Sequence, residues 1–82
     1  MLAYGYPWDS EVQQPETLRE TTLSCTKEEL DLLIEFLQEV RVQVSELDVV
    51  EGEHWHLRDW KENWSGRESD VILYLMDQVQ ER

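Results

Sequence analysis

His54-Trp55-His56-Leu57-Arg58-Asp59-Trp60 is the stretch on which the fold turns. Read with a period of two, it is a strand with Trp55 and Leu57 on one face and His54, His56 and Arg58 on the other. One face is apolar and the other ionisable, so the strand belongs to a sheet with one side against a core. It sits between a helical stretch and a strongly apolar run, and reading outward in both directions supplies the rest of the architecture.

Upstream, Thr26-Lys27-Glu28-Glu29 has the form of a capping box. The Thr26 hydroxyl accepts from the Glu29 amide while the Glu29 carboxylate reaches back to the Thr26 amide. This predicts one long helix over about residues 26–47. Leu30, Leu33, Ile34, Leu37, Val40, Val44 and Leu47 follow at three- and four-residue steps and form a stripe expected to face the core. Glu28, Asp31, Glu35, Glu39 and Glu46 fall on the opposite face. Leu32 and Val42 lie towards that acidic face, with Phe36 at its border. The stripe spans only about three heptads, the lower limit for a coiled coil, so packing on a sheet is the better reading.

Downstream, Val71-Ile72-Leu73-Tyr74-Leu75-Met76 is apolar on both alternating faces, as in a central strand covered on both sides. Residues 61–70 between them are a polar connection with Trp64 in its middle. Before the helix, Thr17 to Cys25 is rich in β-branched residues, with Thr21, Leu23 and Cys25 on one face, and reads as the first strand of the sheet. A helical return after strand one and a loop after strand two place the apolar strand in the middle. The expected fold is therefore α+β: a β-α-β-β chain with an antiparallel three-stranded sheet of order 1-3-2 and the helix on one face. Leu2, Tyr4, Tyr6 and Trp8 occupy every second position of an arm over residues 1–16, where Pro7 and Gly5 fit an edge segment better than a central strand. That arm, or a second copy of the chain in a homodimer, would cover the sheet face away from the helix.

With 82 residues the chain makes a single small domain, too small for a large internal active-site cavity. It carries 19 Asp and Glu against 7 Lys and Arg, a formal charge of -12. Such a balance repels nucleic acid and anionic membrane surfaces and attracts a basic protein. No apolar run approaches the ~20 residues of a membrane span. A secretory signal is not recognisable and the single Cys25 excludes an internal disulfide, so a cytoplasmic location is expected.

No nucleophile elbow, phosphate-binding loop or dinucleotide glycine pattern occurs, so no enzyme is expected. Cys25 precedes a helix start but has no histidine near in sequence, and the reading is an inert buried thiol. His54 and His56 share a strand face, as two metal ligands taken from one strand do. Asp59 has the opposite parity, leaving Glu51, Glu53 or an acidic residue of the 61–70 loop as a third ligand. No cofactor is expected on the main reading; zinc at His54 and His56, in a small metal-binding or regulatory protein, is the alternative. Arg58, Trp60, Lys61, Trp64 and Arg67 gather cationic and aromatic side chains of the kind found at protein-binding hot spots. With Glu28, Glu35 and Glu39 of the acidic helix face, they are the candidate partner-binding residues.

Thr26-x-x-Glu29-Leu30 opening a helix, Glu53-His54-Trp55-His56-Leu57-Arg58-Asp59, and Ser69-Asp70-Val71-Ile72 leading the last strand form a set. Across residues 18–76 that set resembles small bacterial immunity proteins of polymorphic toxin systems. The resemblance implies a non-enzymatic binder whose acidic surface docks on a basic effector such as a nuclease.

Overall fold

In the computed structural model, the described residues are 1–8, 11, 13–46, 52–61 and 68–76. They form an α+β arrangement with one α-helix, α1 (Lys27–Glu46), four short strands and one turn of 3-10 helix (Leu57–Asp59), so the strand expected from His54 to Trp60 ends at His56. β1 (Ala3–Gly5) pairs antiparallel with β2 (Glu16–Leu18), and β3 (His54–His56) pairs antiparallel with β4 (Ile72–Tyr74). No described helix is long and apolar enough to cross a membrane.

The helix begins where its cap dictates. Thr26 N donates to Glu29 Oε1 at 2.8 Å and Glu29 N to Thr26 Oγ1 at 3.1 Å, satisfying two amides that would otherwise have no partner at the first turn. The β3–β4 ladder has the register His54↔Tyr74, Trp55↔Leu73 and His56↔Ile72. Main-chain bonds extend it at both ends, from Leu57 N to Val71 O and from Gly52 N to Leu75 O. Gly52 enters the strand with φ 96, a conformation open to glycine and strained for other residues.

Trp55 faces the helix as the alternation predicts, and Leu57 joins it from the first position of the 3-10 turn. The core consists of Phe36, Val40 and Leu57, packed about by Leu32, Leu33, Val44, Trp55, Val71 and Leu73. Trp55 carries its polar edge into this layer by donating from Nε1 to Gln43 Oε1 at 2.8 Å, and Gln43 in turn donates to Glu39. The indole is thus half-buried with its donor satisfied.

The helix is rolled relative to the sequence expectation. Phe36, assigned to the border of the acidic face, is fully buried, whereas Leu30, Ile34 and Leu37 of the expected core stripe are exposed. At 100° per residue, Phe36 lies roughly 80° from the centre of that stripe. The apolar arc from Leu32 to Ile34 spans roughly 200°, more than a two-stranded ribbon can cover. The largest ring takes the covered sector.

Two further expectations change. The described residues contain two two-stranded sheets in place of one three-stranded sheet, because β2 pairs with the N-terminal arm and not with β4. Strand structure stops at Leu18, and Thr21, Leu23 and Cys25 are exposed, so Cys25 is an accessible thiol and not a core residue. Continuing the β1–β2 register past Gly5 and Glu16 would oppose Tyr6 to Pro15, with Pro7 next in line. Prolines have no amide hydrogen to donate, and the ladder ends there.

The arm's parity is also the reverse of a core cover. Its small residues Ala3 and Gly5 lie half-buried with Leu18, and a Cβ on Gly5 would stand 3.0 Å from Leu18 Cδ1. Leu2, Tyr4, Tyr6 and Trp8 are exposed. Ile72, Tyr74 and Met76 on the outer face of β3–β4 are exposed as well, so the arm does not cover them.

Candidate functional site

Two regions gather the polar side chains singled out in the sequence. The first lies along the N-terminal half of α1. Glu28, Glu35 and Glu39 fall within roughly 40° of one another on the helix and span about 16 Å along its axis, forming an acidic flank beside the core-facing sector. A shallow groove of about 430 Å³ opens on this flank, lined by Thr26, Glu28, Glu29, Leu32, Glu35 and Lys61. Leu32 supplies its apolar part, and the lining holds three carboxylates against one ammonium.

That ammonium is occupied. Lys61 Nζ donates to Glu68 Oε1 at 2.7 Å and to Glu29 Oε2 at 3.3 Å, tying the turn after β3 to the first turn of the helix. The bond to Glu68, with the help of Glu29, holds the Lys61 ammonium pKa above its usual value. The Glu29 carboxyl is held below the usual glutamate value, first by the Thr26 amide and then by Lys61. The capping box therefore does two jobs, since one carboxylate oxygen closes the helix and the other anchors Lys61. Glu28 and Glu35 remain exposed at the groove edge.

The second region is the far side of β3–β4. His54 and His56 stand side by side there, ring centroids 5.2 Å apart and planes at 71°. Asp70, just before β4, reaches across to His56. Its Oδ2 lies 2.6 Å from His56 Nδ1, and its Oδ1 accepts from the Arg58 amide at 3.0 Å. The Arg58 guanidinium approaches the same carboxylate, with Nε 3.7 Å from Oδ2. Among the described residues, no group of three or more His, Cys, Asp or Glu side chains is placed to hold a metal ion.

The predicted partner-binding residues are thus divided. Glu28, Glu35 and Lys61 line one groove, with Glu39 farther along the same flank and accepting from Gln43 at 3.2 Å. Arg58 is exposed on the histidine side and engaged with Asp70. Trp60 caps the core, its ring edge-to-face with Phe36 at 5.9 Å, while keeping part of its surface in solvent. Trp64 and Arg67 lie outside the described residues, as does Glu51. Arg58 and Lys61 of the expected cationic cluster each meet carboxylates.

The sequence places Leu32 towards the acidic face, where the groove has it, but does not show Glu29 as a surface-forming residue or Asp70 as a histidine partner. Glu29 was visible only in its local capping role, and its contact with Lys61 spans 32 positions. Asp70 is traceable in retrospect. Once His56 is paired with Ile72, position 70 must lie opposite position 58 in the antiparallel register. Comparison of the chain with family models, with curated proteins and with solved structures gives no match.

Proposed function

We propose that this chain is a non-enzymatic acidic binding protein, acting in the cytoplasm, that docks on a basic protein in the manner of an immunity-type inhibitor. The observation that carries the reading is the groove on α1, where Glu28 and Glu35 flank Leu32. A lysine or arginine from a partner fits this chemistry: its aliphatic stem lies on Leu32 and its cationic head meets the two carboxylates. The formal charge of -12 supports the same reading by accelerating encounter with a cationic surface. Exposed Leu30, Ile34 and Leu37 on the other flank of the helix offer apolar area to the same partner.

An oligoarginine peptide titrated into isotopically labelled protein tests this. Amide shifts are expected to concentrate at Glu28, Leu32 and Glu35 and to weaken steeply with salt. The double substitution Glu28→Gln, Glu35→Gln, at two exposed positions, should reduce affinity at least tenfold with the fold retained by circular dichroism. Shifts spread evenly over all acidic residues would reject the groove as a docking site. A second reading, a homodimer through the sheet face, is favoured by the exposure of Ile72, Tyr74 and Met76. Sedimentation showing a monomer at high concentration removes it.

A further inference from the structure

We propose that His54 and His56 form a two-histidine site for a zinc-class divalent transition metal, with Asp70 as the residue that positions His56. The site is independent of the acidic groove and lies on the face of β3–β4 away from the core. An ionised carboxylate accepts and cannot donate, so the 2.6 Å contact with Asp70 places a proton on His56 Nδ1. The lone pair of that imidazole is then on Nε2, the nitrogen left for a metal. A carboxylate behind a ligating histidine is the common supporting arrangement at zinc sites, where it fixes both the tautomer and the ring orientation.

The spacing fits one ion. A metal–nitrogen bond of about 2.0–2.1 Å, with about 1.1 Å more to the ring centre, puts two tetrahedrally disposed imidazoles about 5.2 Å apart. The centroids of His54 and His56 are 5.2 Å apart in an edge-to-face arrangement, and turning the exposed His54 ring about its side-chain torsions is what brings its free nitrogen towards an ion on His56 Nε2. Successive same-face positions on one strand hold both rings on a single rigid element. With two protein ligands, water completes the coordination shell, and the expected affinity is micromolar in place of the far tighter binding of a closed four-ligand site.

Calorimetric titration of the intact chain with zinc, in the presence of excess magnesium, provides the test. The expected result is one saturable site per chain at micromolar zinc, lost at least tenfold in His54→Ala and in His56→Ala. His54 is solvent-exposed, so its removal leaves the fold intact, which far-UV circular dichroism verifies. Asp70→Asn gives the sharper readout. The asparagine oxygen still accepts from the Arg58 amide, but its amino group faces His56 Nδ1 as a donor and drives the imidazole proton to Nε2. Nitrogen-15 shifts of the ring should report the tautomer change, and zinc should bind about 10–100-fold more weakly. The proposal is overturned by absence of a saturable site, by zinc binding that survives both histidine substitutions, or by an Asp70→Asn variant that binds as tightly as the parent.

Discussion

The roll of α1 is tested by comparing Phe36→Ala with Ile34→Ala. Phe36 is 0% exposed and packs with Val40, Leu57 and the Trp60 ring, whereas Ile34 is 45% exposed. Truncating a buried phenylalanine costs about 3–5 kcal/mol, from lost apolar burial and from the cavity left behind. The aromatic pair with Trp60 adds about 0.5–1.5 kcal/mol to the side chain's share. Ile34 keeps nearly half its surface in water, so its truncation costs about 1 kcal/mol or less. In a domain of this size each kcal/mol shifts the melting temperature by about 4–8 °C, so Phe36→Ala should melt at least ~12 °C lower, with Ile34→Ala within ~8 °C of the parent. Urea titration followed by circular dichroism gives both differences with a common slope. If Ile34→Ala proves as damaging as Phe36→Ala, the helix faces the sheet with the Leu30–Leu47 stripe and the observed roll is wrong.

Replacing Thr26 with Ala removes one arm of the capping box and should cost about 1 kcal/mol in urea titration. The same box makes a prediction about acid. Because the folded Glu29 pKa is depressed, its contribution is fully present above the ordinary glutamate range and disappears as pH falls through the depressed value. Glu29→Gln should therefore flatten the acid limb of the stability profile. Lys61 acts in the opposite sense: its raised pKa gives a contribution present below the ordinary lysine value and lost as pH climbs past the raised one, and Lys61→Met should remove that alkaline limb. Trp55→Phe keeps most of the apolar ring but leaves the half-buried Gln43 Oε1 without its indole donor, and thermal melts should show a loss of about 0.5–1.5 kcal/mol. A double substitution with Gln43→Leu should recover part of that loss, since no acceptor is then stranded.

What local chemistry specifies was legible in the chain. The reciprocal hydrogen bonds of Thr26 and Glu29 involve residues three apart, and the helix starts beside them. The period of two across His54 to His56 fixed that Trp55 faces the core, since a strand has only two faces, whereas Leu57 reaches the core from the 3-10 turn that replaces the rest of the expected strand. Antiparallel pairing of β3 with the final apolar run followed from the loop between them. His54 and His56 were recognisable as neighbours for the same reason.

What depends on distant partners was not legible. Alternation assigns a face to the Thr17–Cys25 run but carries no information on which strand it joins, and the arm supplies the partner over Glu16–Leu18. Lys61 reads as a surface cation until folding sets it between Glu29 and Glu68. Asp70 reads as a turn residue until the register brings it to His56. The sequence by itself determined the helix, its cap, the inward Trp55 and the strongly acidic surface. Only the tertiary structure decided the roll that buries Phe36, the division into two small sheets, and the pairing of His56 with Asp70. The physical reason is that caps and periodicities are set within a few residues, whereas burial of a wide apolar arc is decided by how much of it the opposing layer can cover.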